Sequence, residues 1–180
     1  NDLSKKMVKF FDENEKLQNQ GLVGGGKDLS VKNSIDITIQ PNDLKNSKFE
    51  IFNEYMKKLH ECYQDYLIQY PLLKGMIKDI HIGKFNLQKY KKDGHFSGVH
   101  SERTSLTTLH RLFAWMTYLN DVEDGGVTNF SHYKIDVKPE IGKTIIWPSE
   151  WTHAHSGGIV KSGTKYIITG WMHFPYDEKK

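Results

Sequence analysis

At 180 residues the chain is long enough for one domain with a substantial core. Its 37% hydrophobic and 12% aromatic content excludes a disordered chain, and the lack of any run of about 18 apolar residues excludes a membrane-spanning helix. The net charge of +3 rests on scattered lysines, with Arg103 and Arg111 the only arginines, which argues against a nucleic-acid surface. The single Cys62 cannot form an internal disulfide and no signal peptide is visible, so a cytoplasmic location is expected. The first residue is Asn1 rather than methionine, which leaves an upstream segment open.

In chain order, residues 2–20 are charged, with Leu3, Met7, Phe10, Phe11 and Leu17 at loose helical spacing. Gly24-Gly25-Gly26 marks a loop. Gly21-x-x-x-x-Gly26-Lys27 mimics the start of a phosphate-binding loop. Asp28 stands where serine or threonine is needed and no apolar strand precedes it, so that reading is rejected. Ser47-Lys48-Phe49-Glu50 has capping-box form. Phe49, Phe52, Met56, Leu59, Tyr63, Tyr66 and Leu67 then recur at helical spacing until Pro71 stops the run. This stripe reads as core against a neighbouring layer, so residues 1–75 are expected to be mainly helical scaffold.

Gly94 to Val99 is short, glycine-punctuated and aromatic, which suits a strand leading into His100-Ser101-Glu102. Alternate strand residues share a face, so His100 and Glu102 would project side by side with Ser101 turned away. Another histidine follows roughly fifty residues later, at His153 or His155. Together these are the donors of a 2-His-1-carboxylate facial triad, which suits Fe(II), Mn(II) or Zn(II) and leaves positions open. A His-x-Glu is common by chance among nine histidines, so the surrounding sequence must carry the argument.

Arg111 to Leu119 is apolar and aromatic, closed by Asn120-Asp121, and predicts a buried strand. Asp124-Gly125-Gly126 signals a turn, Val127 to Phe130 resumes an extended pattern, and Gly142 to Trp147 is a strand stopped by Pro148. Lys165 to Phe174 is β-branched and aromatic. Short strands divided by glycine and proline turns predict an antiparallel barrel or sandwich over 76–175. Within the last strand Lys165, Thr169, Trp171 and His173 share one face, and Tyr166, Ile168 and Met172 the other. A lysine on that apolar face fits a pocket that receives an anion, and equally an edge strand with a solvated lysine.

Together these segments resemble the Fe(II)/2-oxoglutarate-dependent dioxygenases, in their prolyl 4-hydroxylase-like branch. The resemblance is carried by His100-x-Glu102, by Arg111 through Tyr118-Leu119-Asn120-Asp121-Val122, and by Gly125-Gly126-x-Thr128-x-Phe130. It continues in His155-Ser156-Gly157-Gly158 leading to Gly163-Thr164-Lys165, with Trp171 six residues later. It implies a mainly β chain with flanking helices: a double-stranded β-helix, or jelly roll, with N-terminal helices packed on one sheet. It also implies that His100, Glu102 and His155 hold the metal and form the catalytic centre. The family's ten-residue spacing to the cosubstrate lysine selects His155 over His153, which becomes a neighbour of the centre or a substrate-side residue. Glu102 departs from the aspartate of most members. It keeps charge and donor type, adds a methylene that implies a slightly different iron position, and argues against a halogenase-like variant.

The resemblance further implies that Lys165 pairs with the distal carboxylate of 2-oxoglutarate, with Thr128 and Trp171 near the cosubstrate and Tyr90 hydrogen-bonded to it. The implied reaction consumes 2-oxoglutarate and O2, releases succinate and CO2, and hydroxylates a C–H bond. The expected substrate is a small molecule or peptide, with a prolyl or other amino-acid side chain foremost. Ascorbate is a further candidate cofactor, and neither a nucleic-acid nor a membrane partner is expected. Two other classes fit the residues: a cupin-like metal enzyme with no need of Lys165, and a non-catalytic binding barrel.

Overall fold

The computed structural model of the chain describes residues 1–24 and 26–175. Helix α1 (Asp2–Glu13) buries Met7, Phe10 and Phe11 along one stripe. It stops well short of residue 20 because Asn14 leaves helical geometry and its side-chain amide donates to the Phe10 carbonyl at 2.8 Å. Helix α2 (Glu50–Gln69) carries the predicted aromatic stripe, with Phe52, Tyr55, Leu59, Tyr63 and Leu67 buried, and ends ahead of Pro71. Asn46, not Ser47, caps its approach: the Asn46 side chain accepts from the Lys48 N–H at 2.9 Å, over a 3-10 turn at Ser47–Phe49. A short α3 (Leu72–Met76) follows.

The first 75 residues are not only helical. They supply β1 (Asn19–Gln20), β2 (Lys32–Asn33) and β3 (Ile35–Ile39), the last with Ile35, Ile37 and Ile39 at a period of two. Next come β4 (His81–Ile82), β5 (Phe85–Tyr90), β6 (His95–His100) and β7 (Arg111–Tyr118). After these lie β8 (Thr128–Phe130), β9 (Ile135–Val137), β10 (Thr144–Pro148), β11 (His155–Gly157) and β12 (Lys165–His173). One sheet runs β1-β3-β5-β12-β7-β10, with β4 also on β12, and the other β2-β6-β11-β8-β9. Neighbouring strands are antiparallel in both, for example β12 with β7 and β11 with β6.

Strand alternation divides the core into two layers. Phe113, Trp115, Ile168 and Met172 face outward from the larger sheet and meet Phe10, Phe11, Phe52 and Leu59 of α1 and α2. Edge-to-face rings tie α1 to α2 and α2 to β5: Phe10 to Phe52 at 5.0 Å and Phe52 to Phe85 at 5.9 Å between centroids. Met116, Tyr118 and Ile167 face the opposite way and meet Phe130 and Trp147 between the sheets. The helices therefore brace one sheet from outside and leave the space between the sheets for chemistry.

Candidate metal centre

His100 closes β6 and His155 opens β11, and the ladder makes them direct cross-strand partners. Glu102 lies in the bend after β6 rather than on the strand, so alternation alone does not aim it. The bend is held by hydrogen bonds: Arg111 Nη1 donates to the Glu102 carbonyl at 2.9 Å, and Ser101 Oγ and the Arg103 N–H donate to the Ser149 carbonyl at 3.2 and 3.1 Å. One ligand atom from each of His100, Glu102 and His155 lies within 4.8 Å of the others.

The protonation pattern suits a metal. His100 Nδ1 lies 2.8 Å from the Gly98 carbonyl and His155 Nδ1 3.0 Å from the His153 carbonyl. A ring that donates through Nδ1 presents the lone pair of Nε2, and both Nε2 atoms face Glu102 Oε1, at 3.9 and 3.3 Å. Burial, together with the neighbouring His155, pushes the His100 pKa below the ordinary histidine value and keeps that ring neutral. Burial by itself would raise the Glu102 pKa, but the two imidazoles and the Trp171 N–H outweigh it and hold the carboxyl below its ordinary value. Phe96 stacks on His100 at 4.0 Å and fixes the ring plane.

His153 is not part of this cluster. It sits on a 3-10 turn, Trp151–His153, ahead of β11, so it does not share a strand face with His155 as the spacing suggests. Its ring packs on Tyr133, 5.0 Å between centroids, and its carbonyl accepts from His155 Nδ1.

A cleft of about 1210 Å3 opens over the three donors and reaches Lys165, Tyr90, Thr128 and Trp171. Lys165 is 3% exposed, and its ammonium donates to the Gly126 carbonyl at 2.9 Å and lies 4.7 Å from the centroid of the Tyr90 ring. Gly126 can come this close because the Gly125-Gly126 turn runs at φ of +80 and +67 degrees, where a side chain is strained. No carboxylate pairs with Lys165 among the described residues, and burial lowers its pKa to about 8. The lysine is therefore buried in the cleft wall and is not a solvated edge residue.

The other expected cosubstrate residues are placed differently from one another. Tyr90 spends its hydroxyl on Gln88 Oε1 at 2.8 Å and offers Lys165 its ring face. Thr128 is buried and accepts from Tyr118 at 2.7 Å. Trp171 Nε1 donates to Glu102 Oε2 at 2.7 Å, so it grips the acidic donor itself.

Residues 85–173 match the 2OG-Fe(II) oxygenase superfamily. This segment is a 2OG-Fe(II) oxygenase domain. Its kind is prolyl 4-hydroxylase-like: the prolyl 4-hydroxylase subunit alpha-1 of Gallus gallus is 31% identical over 75 residues, covering 38% of this chain. The Homo sapiens counterpart is 28% identical over the same length. The match spans only 14% of those relatives. Among solved structures, a viral collagen prolyl hydroxylase of Paramecium Bursaria Chlorella virus-1 in complex with 2OG superposes with a TM-score of 0.63 at 23% identity, covering 81% of each chain. A Trichoplax adhaerens prolyl hydroxylase, in complex with a hypoxia inducible factor peptide fragment, gives 0.71 at 15% identity over 97% of this chain and 79% of that one. These likenesses establish the double-stranded β-helix.

Fe(II) and 2-oxoglutarate are the superfamily's cofactors, with O2 as the second cosubstrate, and the oxygenase domain has the chemistry to hold them. Two imidazoles and a carboxylate are an Fe(II) donor set, and a buried lysine with no carboxylate partner among the described residues suits a dicarboxylate.

Sequence reasoning missed the supports of this site. Arg111 Nη1 lies 3.6 Å from Glu102 Oε2, and its guanidinium stacks 3.8 Å above the Trp171 ring. Arg103 fixes the same loop through the Arg111 carbonyl, at 3.0 and 2.7 Å, and through an ion pair with Glu150. The signal was present: both arginines of a lysine-rich chain lie just after His100. A buried Lys32–Asp36 pair at 2.6 Å also lines the cleft, joined to Tyr90 through Gln88. No spacing in the sequence announced it.

Proposed function

We propose that this chain is a 2-oxoglutarate-dependent hydroxylase with iron held by His100, Glu102 and His155, acting on a prolyl or similar amino-acid side chain within a peptide. The observation that carries this reading is the convergence of three donors within 4.8 Å in a cleft that is also lined by a buried lysine with no carboxylate partner among the described residues. When bound, iron, 2-oxoglutarate and O2 supply the oxidant, with 2-oxoglutarate decarboxylated to succinate and CO2 and one oxygen atom delivered to a C–H bond.

The protein's own residues set the geometry. The Gly98 and His153 carbonyls fix the tautomers of His100 and His155, and so aim both Nε2 lone pairs at one point. Trp171 and Arg111 hold Glu102 Oε2, leaving Oε1 to face that point. Lys165 would offer the distal carboxylate of 2-oxoglutarate a buried ammonium. Phe96, Met116, Trp147 and Ile167 line the cleft with apolar surface that limits water. The peptide substrate is supported by the relatives' own descriptions, a prolyl 4-hydroxylase subunit and a hydroxylase in complex with a peptide fragment.

The test is an anaerobic titration of metal-free protein with Fe(II) and then 2-oxoglutarate, following the visible charge-transfer band of the chelate. The band is expected in wild type and in His153→Ala and absent in His155→Ala. Iron bound without any band would overturn the reading. A proline-containing peptide set, screened in air for a mass gain of one oxygen, then tests the substrate class.

A further inference from the structure

The cleft does not end at Glu102. It shares Lys84, Thr107, Arg111 and Trp171 with a second basin of about 820 Å3, whose remaining wall includes His81, His110 and His173. Arg111 and Lys84 are the charged side chains on this wall, and no carboxylate lines it among the described residues.

Two buried nitrogens here lack a hydrogen-bond partner: Arg111 Nε and His173 Nε2. The β7–β12 ladder pairs Arg111 with His173 directly, so the two belong to neighbouring side chains. His173 is 7% exposed, and its ring is pinned by Gly83, where an added Cβ would come within 2.8 Å of its Cε1. Burial, then the charges of His110, Arg111 and His81, lowers the His173 pKa to about 4, so the imidazole is neutral and carries one N–H. Buried donors without acceptors are costly and rare in folded proteins. An acceptor of negative charge would satisfy Arg111 Nε and, in the Nε2–H tautomer, His173 as well, and would meet no acid on this wall among the described residues.

We propose that this basin is a carboxylate subsite of the substrate: the molecule reaching the iron cleft carries an acidic group that lodges beyond Trp171, against Arg111 and His173. The proposal rests on the hydroxylase reading for the identity of the cleft's occupant. It makes the substrate acidic at a fixed distance from the reacting carbon.

Acetylated, amidated hexapeptides with a central proline are titrated calorimetrically into the protein loaded with Mn(II) and 2-oxoglutarate, and into the metal-free protein. Each position carries glutamate in one peptide and glutamine in its twin, and N-acetylglutamate is a separate arm. At one position the glutamate peptide is expected to bind about tenfold tighter than its twin, and Lys84→Ala and His173→Phe should each erase that difference. N-acetylglutamate binding as tightly as the best peptide would assign the carboxylate to a free acid, and weaker binding to a peptide. Should His173→Phe fail to fold, the exposed Lys84→Ala variant and the imidazole nitrogen shifts of His173 in wild type serve instead. Equal binding of every pair, or a preference that survives in Lys84→Ala with no shift at His173, would overturn the proposal. Failure of the hydroxylase reading is read separately, as absent Mn(II) or 2-oxoglutarate binding.

Discussion

Burial of the Lys165 ammonium is expected to destabilise the ligand-free fold. Its pKa falls from 10.5 in water to about 8 in the folded chain. A cation whose folded pKa is depressed penalises folding fully below that value, and the penalty fades as pH rises from about 8 towards 10.5. The difference corresponds to about 3 kcal/mol at neutral pH. Lys165→Met is therefore expected to raise the thermal midpoint of the metal-free protein by several degrees at pH 7 while abolishing 2-oxoglutarate binding. Calorimetry checks both, and a lowered midpoint would mean that the Gly126 and Tyr90 contacts outweigh the buried charge. The same lysine sets a pH dependence. The anion needs the protonated form, so its affinity should be level below about pH 8 and fall by up to tenfold per unit above it. Lys165→Arg, if it binds at all, should show no such fall.

Trp171 belongs to the same scale. Its N–H on Glu102 Oε2 makes it a positioning residue for the acidic donor, so Trp171→Phe should weaken Mn(II) binding by about ten- to a hundredfold. The 2-oxoglutarate affinity of the metal-loaded protein should change much less. The reverse split, read by Mn(II) resonance and calorimetry, would return Trp171 to the cosubstrate role that the resemblance gave it.

At the scale of elements, the long strands β7 and β12 were legible because burial on both faces leaves a nearly continuous run of apolar, β-branched and aromatic residues. The two-residue strands β1, β2 and β4 were not, since so short a ladder has no period to read. The metal motif was legible in its residue types and wrong in its mechanics: β6 ends at His100, and hydrogen bonds from Arg111 and Arg103 to backbone carbonyls in and around the loop aim Glu102. His153 misled for the same reason, because β11 begins only at His155. Close packing adds a constraint that no pattern shows. A Cβ at Gly170 on β12 would come within 2.7 Å of the buried Trp115 ring and 2.8 Å of Phe85 Cβ. Gly170→Ala should cost about 1–3 kcal/mol in urea unfolding, and an unchanged midpoint would show that the two layers can separate at that point.

At the scale of the molecule, the two sheets contribute unequal parts of one site. The smaller sheet carries His100 and His155, and the larger carries Lys165 and Trp171 on β12, braced from outside by α1 and α2. A ligand that reaches from the metal donors to Lys165 therefore joins the sheets, whereas a metal alone engages mainly the smaller one and the loop after β6. Ligands that bind only the folded state stabilise it through their affinity. Mn(II) alone should slow amide exchange in β6 and β11, and 2-oxoglutarate added to the Mn(II) form should extend protection to β5 and β12. The thermal midpoint should rise more for the pair than for the sum of the two separate additions, because each ligand completes the other's pocket. Additive midpoints with protection confined to β6 and β11 would mean that the cosubstrate does not reach Lys165. The cupin-like alternative, in which the metal works without 2-oxoglutarate, would then account better for the site.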